Sequence, residues 1–572
     1  MKMFENEDLN FASTGSDIDF EFESDKMSKP VIKLSAYQQK IIDDFKNTKN
    51  NMFISARAGA AKTFTLVELT KHTTDYSLFL AFNKSIQQEL ETRITNTRFK
   101  TYTFNGLGYL IMMRNMSDLN PSLKITLDKF KTQNVVREVL GKHMQEFSKL
   151  NFEIQSLLVN EFSTLFDIGK AKFIDFNDKK QIMNIINSYK LFEDANCPMP
   201  QNTFDYIKLI DIINMEQFEQ QGLISFGDQL YITLKKLFAK EWKVPSYLLF
   251  QNIFIDESQD VNKCQQLLVL FIKRKDARII AVGDVFQAIY AFNGSDTNAI
   301  NNMIRMFEMK EYDLPINYRC PSSHLDYVNK QYPDIKIKAC DTAQIGKILT
   351  IAENDIVNLA QPGDFILSRK NKDLFEIILN LLQQGKAIYF KDVQFVNKIL
   401  KKINSLSSKV NTLKGLLDKL LEEQNKNENK LQEKIQKMMA EGQFVENEID
   451  KYSYSNDVID LFDCAILLLH HYIDDKNITN KSINNFSEHV STMLNTTNKK
   501  NSIVCTSIHQ AKGLEANNVF VLHMAKPFYE LADSAEQKKQ ERNLSYIALT
   551  RAKQNLYLVD SPSDENGESE WE

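Results

Sequence analysis

Apolar positions first fall into register at LSAYQQKIIDDF (34–45), where Tyr37, Ile41, Ile42 and Phe45 recur at helical spacing. Beyond it, Met52, Phe53 and Ile54 form a short apolar run that gives way to small residues and then to a helix-like pattern after Lys62 and Thr63. That order predicts strand, loop, helix. YSLFLAFNKSIQQELETR (76–93) repeats it, with a buried strand ending near Phe82, and FKTYTFNGLGYL (99–110) reads as another strand. From about 111 to 245 the pattern is helical and suggests an inserted helical domain. Apolar strands return at Ile253, Phe254 and Ile255 and at ARIIAVGD (277–284), and residues 363–400 read as strand, helix, strand. Strands alternating with helices predict parallel α/β sheets, whose ligands gather beyond the carboxyl ends of the strands.

A different period follows. Val396, Ile399, Ile403, Leu406, Val410, Leu413, Leu417 and Leu420 keep the three-four alternation of a coiled-coil seam. Gln424 and Asn427 then hold seam positions within a polar run, before Leu431, Ile435 and Met438 resume it. Two helices folded on each other about residues 422–430 would bury both stripes, whereas one long helix would need a partner chain. The hairpin is the preferred expectation, because a polar interruption costs less at a turn than within a seam.

Composition narrows the class. A chain of 572 residues exceeds one core and predicts three or four domains. Its 43% hydrophobic and 25% charged residues are ordinary for a globular protein. No apolar run approaches the roughly 20 residues of a membrane helix, the acidic start is no signal peptide, and the six cysteines are scattered singly. An intracellular protein with reduced thiols is the expectation. The net charge of −5 hides two acidic ends, −5 over residues 1–30 and −6 over 560–572, which leave the body at +6. A mildly basic body suits a polyanion partner without demanding one. The ends should be disordered, with Phe20, Phe22 and Trp571 available to protein partners or simply solvated.

The candidate chemistry sits where strands stop. In NMFISARAGAAKTFTL (51–66) a loop of small residues precedes Lys62 and Thr63, as in loops whose N–H groups cradle phosphate while a lysine reaches the terminal phosphates and a hydroxyl holds Mg²⁺. The pattern G-x-x-x-x-G-K-[ST] is incomplete, with Ala56 and Ala61 in the glycine positions and only Gly59 remaining. Alanine can line such a loop where φ is negative, but its methyl limits how closely phosphate approaches. Ile253–Ile255 run into DESQD (256–260), where Asp256 suits Mg²⁺ and Glu257 suits orienting or deprotonating water, against the plainer reading of an acidic turn. Gln287 lies just past a strand, and Tyr290 and Phe292 offer flat faces or core aromatics. Tyr318 and Arg319 precede a proline, and such an arginine can stabilise a transferring phosphoryl group. Gln38 could read an adenine edge or be an exposed helical glutamine. Phe82, Asn83, Lys84, Thr103 and Asn105 would sit on the same rim, offering an aromatic face and polar groups to a nucleic-acid strand.

Taken in order, ARAGAAKT, LAFNK, DESQD, GDVFQAIYAFNG and NYR, then TSIHQAKGLE (506–515) and ERNLSYIALTRA (541–552), resemble the motifs of the UvrD/Rep family of superfamily 1A DNA helicases. The resemblance implies an α/β protein with two RecA-like P-loop motor domains, parallel sheets, ATP between them and a mainly helical insertion in each. The first motor domain would comprise 31–110 and 246–300 around the insertion 111–245. The second would comprise 301–394 and 496–559 around a helical, coiled-coil insertion at 395–495. Ala58, Gly59, Ala60, Ala61, Lys62, Thr63 and Phe64 would line the phosphate loop, with Thr63 and Asp256 on Mg²⁺ and Glu257 as base. Gln38 would recognise adenine, Tyr318 would stack on it, Glu515 would contact ribose, Gln287 would sense the γ-phosphate, and Arg319 and Arg551 would be arginine fingers. For DNA, the resemblance implies Phe82, Asn83, Lys84, Thr103, Asn105, Tyr290, Phe292, His509 and Lys512.

Departures from the family pattern fall at Ala61, usually glycine, at Asn105, usually histidine, and at Asn293, usually arginine. The last two lose charge assistance in a phosphate contact. The function implied is an ATP-dependent helicase moving 3′→5′ on single-stranded DNA toward duplex junctions, in replication or repair. Alternatives are a translocase that strips proteins from DNA with little unwinding, or an ATP-gated nucleic-acid-binding protein. A cytoplasmic, nucleoid-associated location follows, in a host cytoplasm should the compact insertion and many asparagines mark a viral or phage enzyme.

Overall fold

The computed structural model describes residues 33–192, 197–289, 298–440, 457–475, 478–494, 501–523 and 535–560. The acidic stretches 1–30 and 561–572, with Phe20, Phe22 and Trp571, and also Tyr290, Phe292 and Asn293, lie outside the described residues. The chain divides into two compact units, the first ending at Pro315 and the second starting at Ile316.

In the first unit the strands are β1 (Met52–Ala56), β2 (Ser77–Ala81), β3 (Phe99–Thr103), the two-residue β4 (Thr126–Leu127) and β5 (Leu223–Ile224), β6 (Phe250–Ile255), β7 (Lys273–Gly283) and β8 (Lys310–Leu314). Six of them form one sheet in the order β3-β2-β6-β7-β1-β8, and every pairing in it is parallel. Side chains alternate between its two faces. Phe53, Leu80 and Ile253 join the larger core shared with the helices of residues 104–238, while Ile54, Phe79 and Phe254 join the core under the helix Ala36–Asn47. Burial on both faces is the usual condition of a parallel sheet, so the apolar runs look continuous in the sequence. Arg278 fixes the C-terminal end of the helix Ala36–Asn47, donating to the carbonyls of Phe45 (2.6 Å) and Asn50 (2.8 Å) with its guanidinium over the Phe45 ring.

Two boundaries differ from the sequence expectation. Of the strand-like stretch 99–110, only Phe99–Thr103 is strand; Thr103 then caps the helix Phe104–Leu119 by accepting from the Gly106 N–H at 3.1 Å. Residues 301–315, expected in the second motor domain, belong to the first unit, because β8 pairs along the free edge of β1 and the helix Ala299–Phe307 precedes it.

The second unit contains the two-residue β9 (Ile316–Asn317) and β10 (Lys338–Ala339), then β11 (Lys347–Ala352), β12 (Phe365–Ser368), β13 (Ile388–Phe390), β14 (Ile503–Ser507), β15 (Ala516–Leu522) and β16 (Ala552–Asp560). The last six form a second parallel sheet, β11-β16-β15-β12-β14-β13. β13 and β14 are neighbours although residues 391–502 lie between them in the chain.

Within that insertion the expected turn at 422–430 is absent. One helix spans Val393–Ser407 and a second runs unbroken over Leu413–Ala440, so the break between them falls at 408–412. Thr412 caps the second helix, accepting from the Gly415 N–H at 3.0 Å. Val396, Ile399, Ile403, Leu406, Leu416 and Leu420 are buried. The long helix packs chiefly on the helix Asp457–Asp474 of the same chain. Its polar stretch persists as helix because it is rich in Glu, Gln and Lys, and Gln424 donates to Asp463 across the contact. The side chains of Leu431, Ile435 and Met438 lie outside those described.

Candidate functional site

Because all six strands of the first sheet run parallel, their carboxyl ends share one edge, and the sequence candidates of this unit lie along it. After β1 the chain turns through Arg57–Ala61 into the helix Lys62–Thr70, with Ala58 and Ala60 buried and Gly59 at φ 64°. Ala61 is the N-cap residue, at φ 57° and ψ 43°. The alanine thus occupies the left-handed region that favours glycine, not the negative-φ conformation in which a methyl is tolerated without strain. Phe64 is half-buried on the first turn.

Two side-chain contacts bring the loop to the acidic turn after β6, and a third braces that turn. Lys62 Nζ lies 3.0 Å from Glu257 Oε2, and Thr63 Oγ1 donates to Asp256 Oδ2 at 2.6 Å. Gln259 Nε2 donates to the same Glu257 oxygen at 2.5 Å. Glu257 itself is held at φ 48°, and its N–H donates to Asp256 Oδ1 at 2.8 Å. Burial, and then the like charge of Glu257, push the Asp256 carboxyl up to about 6, opposed by the Thr63 hydrogen bond and Lys62. Burial alone would lower Lys62, but the carboxylates of Glu257, Asp284 and Asp256 outweigh it and hold its ammonium above the usual lysine value. The cluster is one lysine facing three buried or half-buried carboxylates at a helix N-terminus, where phosphate oxygens are favoured. A hydroxyl and a carboxylate 2.6 Å apart are hard-oxygen donors that fit Mg²⁺.

Past β7, Asp284 accepts from Gln287 Nε2 at 2.7 Å, and its N–H donates to Gln259 Oε1 at 3.0 Å, so Gln287 joins the same network through two intermediaries. Gly283 leaves room for it: a β-carbon there would stand 2.5 Å from Ser258 Oγ. Gln38 is not an exposed helical glutamine. It is 3% exposed, shares a capping box with Ser35, and donates from Nε2 to Thr65 Oγ1 at 3.0 Å on the loop's own helix.

The other half of the rim is more open. Phe82, 38% exposed, follows β2; Asn83 caps the helix Lys84–Arg93 by accepting from the Ile86 N–H at 2.8 Å. Asn105 Nδ2 donates to the carbonyl of Phe226 at 3.0 Å. Phe226 is 65% exposed, and the sequence pattern gave no reason to select it. The only local signal is an aromatic between Ser225 and Gly227 where two helical patterns meet.

In the second unit Tyr318 is 44% exposed, and Arg319 forms an ion pair with Glu515, which also pairs with Lys553 at 2.5 Å. Glu515 titrates below the usual carboxylate range: Arg319 and Lys553 overcome the opposing effect of burial. Arg551 is 1% exposed and donates to the carbonyls of Ile547 (2.9 Å) and Leu514 (3.1 Å); burial and the Arg319 charge lower it to about 10. Arg319 and Arg551 are thus brought together, the second as an internal pin. His509 and Lys512 lie in the turn after β14, with Gly513 at φ 83°. Burial, with the nearby Arg369 charge, takes the His509 imidazole down to about 3. Arg369, passed over in the sequence, follows β12 and forks onto both oxygens of Glu541 at 2.8 to 3.1 Å.

Comparison with known proteins agrees with this geometry. Residues 34–308 match the UvrD/REP helicase N-terminal domain and residues 336–562 the UvrD-like helicase C-terminal domain. The chain is 24% identical over 564 residues to F-box DNA helicase protein 1 of Schizosaccharomyces pombe, covering 92% of this chain and 57% of that one. It is 22% identical to F-box DNA helicase 1 of Gallus gallus, covering 93% and 49%. With the ATP-dependent DNA helicase PcrA of Staphylococcus epidermidis it shares 21% identity, covering 90% and 82%. The chain therefore spans about half the length of the F-box helicases and most of that of PcrA. With its two domains matched in order, and the loop lysine meeting the strand-end acids on one sheet edge, the chain belongs to the UvrD/Rep-like superfamily 1 helicases.

Proposed function

We propose that this chain is an ATP-dependent DNA helicase that moves 3′→5′ on single-stranded DNA and opens duplex at junctions. The observation that carries the reading is the convergence of Lys62, Thr63, Asp256 and Glu257, drawn from positions nearly 200 apart, onto one helix N-terminus. Lys62 would leave Glu257 for the terminal phosphates of ATP, freeing that carboxylate to orient or deprotonate water. Thr63 and Asp256 would hold Mg²⁺, which when bound neutralises charge on the phosphates. Gln287 would report the γ-phosphate through Asp284 and Gln259. Tyr318 would offer its exposed ring to the base, and Arg319 would supply positive charge to the transferred phosphoryl group. Phe82, Lys84 and Asn105, with Phe226, support a strand of DNA along the open half of the rim.

Single-stranded DNA should stimulate ATP hydrolysis by the full chain and leave Lys62→Ala flat. A wild type indifferent to DNA refutes the helicase and leaves a binding protein. Duplexes with a 3′ or a 5′ tail then read unwinding and direction: displacement from the 5′-tailed substrate alone reverses the polarity, and hydrolysis that displaces only bound protein indicates the stripping translocase.

A further inference from the structure

The helix Val393–Ser407 leaves the carboxyl edge of the second sheet just after β13, and its two faces differ in kind. Val396, Ile399, Ile403 and Leu406 are buried, whereas Gln394, Lys398, Lys401, Ser405 and Ser408 follow one exposed stripe at helical spacing. Lys409 is exposed just past the helix end, and from Val393 to Leu417 the chain carries five lysines and no acid. Among the described residues Lys398, Lys401 and Lys409 have no ion-pair partner. Other cations at the strand ends of this edge are already committed: Arg369 to Glu541, Lys372 to Asp463 and Lys391 to the carbonyl of Gln510.

A lysine face by itself needs only water, but the chain also holds a counter-charge within reach. Residues 561–572, outside the described residues, carry five acids and no base, and they continue directly from β16, whose carboxyl end lies on the same edge as that of β13. β16 and β13 are four strand spacings apart in the sheet, ~19 Å at ~4.8 Å each. Lys398 and Lys401 lie ~8 and ~12 Å along the helix axis from Val393. Twelve extended residues span ~40 Å, enough to cross the edge and follow the lysines.

We propose that residues 561–572 dock along this face, their carboxylates over Lys398, Lys401 and Lys409, as an internal polyanion that any other polyanion must displace. The contact is between exposed charges, so it yields to salt. It does not rest on the helicase reading.

The test uses the full chain and a water-soluble carbodiimide, which joins a carboxylate to a lysine in contact with it, with the linked peptides mapped by mass spectrometry. At low salt the carboxylates of Glu565, Glu568 and Glu570 should link to Lys398, Lys401 or Lys409, and the links should fade in about 1 M salt, where the screening length is ~3 Å. An equal mixture of isotopically light and heavy chains should give no light-to-heavy links. The full-length variant Asp564→Asn, Glu565→Gln, Glu568→Gln, Glu570→Gln, Glu572→Gln should bind a fluorescent heparin oligosaccharide about 3- to 12-fold more tightly than the wild type, the contribution of three exposed ion pairs. On the background Lys398→Gln, Lys401→Gln, Lys409→Gln, the same five changes should give no gain. Links from these carboxylates only to other lysines, links from residues 1–30 in their place, light-to-heavy links, an unchanged heparin affinity, or an equal gain in both backgrounds each overturn the proposal. DNA-stimulated ATP hydrolysis reads the helicase function separately, so either reading can fail alone.

Discussion

Ala61→Gly removes a single methyl at the N-cap of the loop helix, where the backbone sits at φ 57° and ψ 43°. Holding a residue with a β-carbon in that region costs about 1–2 kcal/mol. Glycine is free of that strain but loses more chain entropy on folding, about 0.5–1 kcal/mol. The difference favours glycine by about 0.5–1 kcal/mol, and at about 2–4 °C per kcal/mol for a unit of this size the melting temperature should rise by about 1–4 °C. On the proposed function the methyl also limits how closely phosphate approaches the loop, so KM for ATP should fall together with the gain in stability. Calorimetry of the full chain and a steady-state ATP titration read the two effects. Ala61→Val is the opposing control, since a β-branched side chain is still less at home at positive φ and should lower the melting temperature. Were Ala61→Gly to destabilise by the ~1 kcal/mol of an ordinary helical alanine-to-glycine change, the left-handed strain would not exist and the reasoning would fail.

Further outcomes follow from other contacts. Lys62→Met removes the cation between Glu257, Asp256 and Asp284, and DNA-stimulated ATP hydrolysis should drop by about 100-fold or more, measured by phosphate release. Gly283→Ala drives a β-carbon to 2.5 Å from Ser258 Oγ and 3.2 Å from the Gln259 backbone nitrogen, so it should cost about 1–3 kcal/mol in denaturant melts. His509 is held down at about 3, below the ~6.5 of an unfolded histidine. The unfolded chain therefore takes up the extra proton between those values, and stability falls as pH drops: about 2 kcal/mol between pH 7 and 5. His509→Asn should remove that part of the acid limb, and an unchanged limb would show that His509 is not its source.

Much of this was readable before any coordinates, for physical reasons. Buried parallel strands announce themselves as apolar runs, so Lys62, Asp256, Gln287 and Phe82 could be placed beyond strand ends from the sequence, and that is where they lie. Conformation was less legible than identity. Nothing in the letters shows that Ala61 adopts a glycine-like backbone, because the strain is imposed by the loop around it. Of the seam expected over 396–438, Val396, Ile399, Ile403, Leu406 and Leu420 are buried, the helix breaks at 408–412 with a cap at Thr412, and the polar run is bridged by strong helix formers. β8 escapes the sequence pattern because an edge strand with one solvated face, KEYDL, lacks the continuous apolar run of its neighbours. Lys131 and Lys170, buried against Asp228 in the helical insertion and up to 97 positions from it, carry no periodic signal at all.

The pairing of β13 with β14 bears on how such a protein can change over time. Parallel neighbours cannot be joined by a tight hairpin and require a crossover of a dozen residues or more. Here residues 391–502 serve as that crossover, and their described helices contribute Val396, Ile399, Leu416, Leu420 and Phe462 to the same core as Ile366, Phe390 and Ile503 of the sheet. The register of the sheet is indifferent to how long the excursion is. Length can therefore change only where the excursion leaves that shared core, because the helices that carry Val396, Ile399, Leu416, Leu420 and Phe462 are packed with the strands themselves.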